Sequence, residues 1–113
     1  MNGEKIETLK QLLPAKDELI ELRSREDLPK GQRKLLDKAL MHLNKIERTI
    51  LIEIGNQLIC NLTEDADKLK QLINEIEQKS DALKTTSKTI SQAVSIVEAL
   101  IKVVSTATSV GLS

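Results

Sequence analysis

Apolar residues recur along this chain at the period of an α-helix almost from one end to the other. Ile6, Leu9, Leu12 and Leu13 open the pattern, and Leu19, Ile20 and Leu22 continue it beyond Pro14. Proline lacks an amide donor and pushes the residue before it away from helical geometry. The first element is therefore expected to be a helix kinked or broken at Pro14 and ending near Arg25. Asp17 and Glu18 would then stand at the positive start of its second piece.

Ser, Asp, Pro and Gly gather between Ser24 and Gly31, which marks a boundary. Asp27 is placed to cap a helix that takes Pro29 into its first turn. Beyond it Leu36, Ala39, Leu40, Leu43, Ile46, Ile50, Ile54, Leu58 and Leu62 keep to a 3.6-residue period, predicting a second helix that runs to about Asn61. Leu51, Ile52 and Ile59 widen its apolar face, as if it touched two neighbours there. Periodicity alone also admits a β-hairpin of Ile50–Ile54 and Gln57–Cys60 turning at Gly55 and Asn56, but an isolated hairpin is marginal in water.

Asn61 or Thr63 can cap a third helix, with Glu64, Asp65 and Asp67 set against its positive end. Neither Gly nor Pro lies between Asn56 and Thr63, so a single continuous rod is the alternative to a turn there. Leu62, Leu69, Ile76, Leu83, Ile90, Val97 and Val104 then recur every seven residues. Ala66, Ile73, Ser80, Ser87, Val94, Ile101 and Thr108 form a second column, and Leu72, Ala93, Leu100 and Ala107 a third. Such columns predict one long helix with left-handed, coiled-coil-like packing, in a bundle wider than a two-stranded zipper. Glu64 with Lys68, Glu75 with Lys79 and Glu98 with Lys102 support it at helical spacing.

The expected fold is all-α. It is an elongated antiparallel helical hairpin or bundle of two long helices plus a shorter, Pro-interrupted N-terminal helix. It forms one domain over residues 1–113, either a whole protein or part of a longer chain.

Composition narrows the chemistry. The 113 residues include no Phe, Trp or Tyr, so the core must come from Leu, Ile, Val and Ala. Seventeen acidic and seventeen basic side chains cancel, which argues against a protein that grips nucleic acid through its overall field. Lys34, Lys38, His42, Lys45 and Arg48 fall opposite the core stripe of the second helix, but no aromatic side chain is present to stack bases. Nucleic acid is accordingly disfavoured as a partner. One cysteine, Cys60, and no apolar leader-like run before Lys16 suggest a cytoplasmic setting.

Catalysis and metal binding draw on His, Cys and clustered carboxylates, and this chain carries one His and one Cys. His42 is expected to be a solvated helix histidine, and Cys60 a small packing residue on the flank of the same helix. The Asp and Glu clusters lack the Gly-centred loop of a calcium site and the Glu-x-x-His pairs of a carboxylate-bridged metal centre. No catalytic residue, cofactor or metal is expected.

Function is therefore expected to be a non-enzymatic helical interaction or assembly module, binding a protein partner or a second copy of itself. A third helix from Glu64 to Thr108 would span ~68 Å and a second from Leu28 to Asn61 ~51 Å, so the longer one would overhang beyond about Ile96. The candidate interface is that overhang: Val94, Val97, Leu100, Ile101, Val104 and Ala107. A membrane-active role for the weakly charged segment after Ile90 is the alternative, with a membrane the less favoured partner.

Overall fold

The computed structural model describes residues 2–79 and 83–109, and places them in four α-helices: α1 (Asn2–Arg23), α2 (Lys30–Ile52), α3 (Gly55–Lys79) and α4 (Lys84–Ser109). The all-α expectation holds. In place of two long helices and a short one there are four of nearly equal length, from 22 to 26 residues.

α1 runs without interruption through Pro14. The proline is exposed, on the side opposite Leu12, Ala15 and Leu19, so the carbonyl it leaves unpaired faces water. After α1 the chain turns, and Pro29 rather than Asp27 is the N-cap of α2, with no side chain capping it. Asp27 lies two residues too early and instead pairs with Arg25 at 3.3 Å.

The predicted turn near Thr63 is not there. α2 stops at Ile52, the Glu53 amide bonds back to the Thr49 carbonyl at 2.9 Å, and Gly55 opens α3 at φ +57. That left-handed conformation costs a residue with a Cβ roughly 1–2 kcal/mol, which explains why the reversal sits at the one glycine in the segment. Asn61, Thr63 and Glu64 lie inside α3, where the Thr63 hydroxyl donates to the Ile59 carbonyl at 2.8 Å. The hairpin reading located the turn correctly, but helices flank it.

The expected rod from Glu64 to Thr108 is likewise two helices. α3 and α4 pack on each other as antiparallel neighbours, with Lys70 donating to Glu98 at 2.8 Å and Ser87 to Glu77 at 3.4 Å. Ser80, in the second column, falls outside the described residues. Elsewhere Lys5 reaches the Glu53 carbonyl at 3.0 Å, Lys16 pairs with Glu47 at 3.3 Å and Arg23 with Asp37, which sets α1 antiparallel to α2. Thr89 donates to Glu18 at 3.0 Å and ties α4 to α1. The contacts α1–α2, α2–α3, α3–α4 and α4–α1 close a ring 51 Å long and 22 by 17 Å across.

One aliphatic core fills that ring. It takes Leu12 and Leu19 from α1, Leu36, Leu43, Ile46 and Ile50 from α2, Leu58, Leu62, Leu69 and Ile76 from α3, and Ile90, Val97 and Val104 from α4. All are essentially inaccessible to water. Exposed ion pairs such as Lys70–Glu98 add little, although the hydrogen bond that Lys70 donates to Glu98 raises the Lys70 pKa above its usual value.

Candidate interaction surface

The residues expected to form the interface are mostly core. Val94, Val97, Leu100 and Val104 are buried within the chain itself, and Ile101 and Ala107 are half-buried. The argument from unequal lengths fails because there is no overhang. α4 is as long as its neighbours and its apolar face is covered by α1 and α3.

What remains outside lies elsewhere. Leu51, Ile52 and Ile54, at the α2–α3 turn, are 72%, 66% and 76% exposed. The widened face read from the sequence is therefore not a helix between two neighbours. Of its residues Leu51 and Ile52 lie on the last turn of α2 and face water, whereas Ile59 lies on α3 and packs half-buried against the core. Because Lys5 binds the Glu53 carbonyl, the start of α1 lies at this same end, where Ile6 is exposed too. Three large aliphatic side chains in four consecutive positions gain nothing from facing water.

A second feature is polar. His42 is not a solvated histidine: it points to α3, where its Nδ1 lies 3.0 Å from Oδ1 of Asp65. The two side chains are only 12% and 11% exposed. An ionised Asp65 can only accept, so Nδ1 is the donor. A cleft of 250 Å³ beside the pair is lined by Lys38, Met41, Lys68, Gln71, Leu72 and Glu75, with no hydroxyl or thiol among them. Lys34, Lys38, Lys45 and Arg48 remain exposed on α2, so the basic line survives without its histidine. Cys60 is exposed on α3, in a different helix from His42. Among the described residues no three His, Cys, Asp or Glu side chains converge as a metal site would require.

The His42–Asp65 pair joins α2 to α3 in the way a buried polar contact fixes which helix faces meet. His42→Ala leaves the Asp65 carboxylate buried without its partner and should cost ~1–3 kcal/mol in urea melts. Leu at both positions should recover most of that loss, and a double-mutant cycle reads the coupling. Coupling near zero would show that the pair contributes nothing to stability. Cys60→Ala, at an exposed site, should stay within about 0.5 kcal/mol of the parent chain.

Sequence reasoning missed both features for one reason, the position of the turn. A helix assumed to continue to Asn61 puts Ile54 on the core stripe and Leu51 and Ile52 against a neighbour, and it keeps Asp65 from ever meeting His42. Gly55 was the signal that would have found them.

Comparison with protein families, with curated proteins and with solved structures finds no match to this chain.

Proposed function

We propose that the chain is a non-enzymatic helical module that binds protein through apolar side chains its own core leaves outside. The observation that carries this reading is the exposure of Leu51, Ile52 and Ile54 together at one end of the fold. The occupant they call for is a protein surface with a complementary apolar pocket, since large aliphatic anchors in a desolvated pocket supply most of the binding energy at such contacts.

Two further elements belong to the same proposal. The seven-residue columns of α3 and α4, every described member of the first of which is buried, support a left-handed, coiled-coil-like four-helix bundle. A rigid bundle of this kind presents its end without paying to order it. The exposed Cys60 thiol supports a reducing, cytoplasmic setting, where it stays unpaired.

Replacing both Ile52 and Ile54 by Lys tests the reading, because neither side chain contributes to the core. The variant should keep the circular dichroism and melting temperature of the parent. In paired quantitative capture from cells it should lose its partner by at least about tenfold, a loss of ~1.4 kcal/mol or more. Equal recovery of every bound protein by the two chains would overturn the proposal.

A second reading rests on α4, which from Lys84 to Ala107 is long and apolar enough to cross a membrane by length and composition. Flotation with neutral and anionic vesicles separates the two readings. Vesicle binding that survives high salt would favour the membrane, and its absence leaves the protein-binding module.

A further inference from the structure

Outside the turn, the largest exposed aliphatic side chains share one stripe. Ile6, Leu13 and Ile20 are 54%, 50% and 47% exposed and stand seven residues apart on α1. Two helical turns separate each from the next, so they form a line along the outside of α1, away from Leu12, Ala15 and Leu19. About half of each side chain is open to water. An apolar line at seven-residue spacing is what one helix presents to another.

The charges beside the line select the occupant. On its α2 side Lys16 and Arg23 are already paired within the chain, to Glu47 and Asp37. On its outer side stand Lys10 and Asp17, both exposed and of opposite sign, also seven residues apart. Lys10 lies three residues before Leu13 and Asp17 four residues after it. A second α1 laid antiparallel, with a two-fold axis at Leu13, sets Leu13 against Leu13 of the other copy and Ile6 against its Ile20. In an antiparallel pair like flanks meet, so Lys10 of each copy then faces Asp17 of the other within about one residue rise, ~1.5 Å along the axis. A parallel pair brings unlike flanks together, so Lys10 and Asp17 of one copy would face the Lys16 and Arg23 flank of the other, and the reciprocal Lys10–Asp17 pairs would not form.

We propose that the outer face of α1 is a self-association surface, on which a second copy of the chain docks antiparallel about a two-fold axis at Leu13. Its apolar line is Ile6, Leu13 and Ile20, and its register is set by reciprocal Lys10–Asp17 pairs. This rests on the reading of the chain as an interaction module and names one partner for it. It uses a different surface from Leu51, Ile52 and Ile54.

The test is the mass of the full chain in solution by sedimentation equilibrium over a wide concentration range. The parent chain should approach twice 12.6 kDa at high concentration. Leu13→Lys should stay at one chain mass with unchanged circular dichroism, since Leu13 is no part of the core. Lys10→Glu and Asp17→Lys alone each set like charges in opposition, and each should weaken dimerisation about tenfold. Mixed one to one, these two variants restore both pairs in the heterodimer, which should form with the parent affinity. A parent chain that stays at one chain mass throughout, a Leu13→Lys variant that still dimerises, or a mixture no tighter than its components would each overturn the proposal. The Ile52 and Ile54 double variant should dimerise like the parent, so failure here is distinguishable from failure of the binding role at the turn.

Discussion

Cutting the chain after Ser95 should abolish cooperative folding. The cut removes Val97, Leu100 and Val104, which are buried by α1 and α3, and half-buried Ile101 with them. Each fully buried aliphatic side chain contributes ~1.5–3 kcal/mol. Three of them match a large part of the ~5–15 kcal/mol by which a domain of this size is stable. The loss does not stop there, because the faces of α1 and α3 that α4 covered become exposed. Far-UV circular dichroism of the truncated chain should show reduced helicity and no sigmoidal thermal transition. A cooperative melt within a few degrees of the full chain would mean that the end of α4 is an appendage, as the overhang reading from sequence supposed.

Leu58→Ala should be the most costly single truncation near the turn. Leu58 is fully buried one helical turn after Gly55, while Leu51, Ile52 and Ile54 close by in sequence are among the most exposed aliphatic residues described. Removing the side chain leaves a cavity in a core with no aromatic group to collapse into it, and should cost ~2–5 kcal/mol in denaturant melts. Ile54→Ala should cost less than about 0.5 kcal/mol, since little of that side chain is removed from water on folding. A Leu58→Ala loss as small as that of Ile54→Ala would place the boundary between core and surface elsewhere.

The contrast between Leu58 and Ile54 also shows how far the sequence could be read. Period gave most of the faces: of the stripe expected on the second helix Leu36, Ala39, Leu43, Ile46, Ile50, Leu58 and Leu62 are buried and Leu40 half-buried, but Ile54 is exposed, and the column Leu62, Leu69, Ile76, Leu83, Ile90, Val97 and Val104 is buried throughout. Period did not give the breaks. A seven-residue column says which side of a helix faces the core, but it carries no mark of where the chain reverses. Ile76 and Leu83 keep the spacing even though they lie on either side of the α3–α4 reversal. Reading the column as one rod produced the overhang, and the overhang placed the candidate interface on residues most of which the fold buries. At the other turn the physical signal was present in Gly55, the residue type that takes φ +57 without strain, but the apolar periodicity on both sides of it outweighed it. At Pro14, where a kink or a break was expected, there is no break: the proline's exposed position on α1 makes it tolerable within one helix.

The proposed binding surfaces were legible only as residues. Ile6, Leu13 and Ile20 belong to the same apolar pattern as Leu12 and Leu19, and the helical wheel of α1 alone does not say which stripe the core takes. The antiparallel ring decides it, by pairing Lys16 and Arg23 with α2 and Glu18 with α4.

That ring is the claim on which both surfaces depend, and zero-length carbodiimide cross-linking tests it most directly. The reagent joins an ammonium to a carboxylate only where the two already touch. Lys70 and Glu98 lie 2.8 Å apart across α3 and α4. In a continuous helix the same residues, 28 positions apart, would stand ~42 Å from each other. An equal mixture of isotopically light and heavy chains, dilute enough to be monomeric, separates bonds within a chain from bonds between chains by mass spectrometry. The antiparallel ring predicts a Lys70–Glu98 bond whose two peptides always carry the same label, alongside a Lys16–Glu47 bond of the same kind. Absence of the Lys70–Glu98 bond while Lys16–Glu47 forms, or its appearance only between differently labelled chains, would contradict the fold and with it the surfaces assigned to its outside.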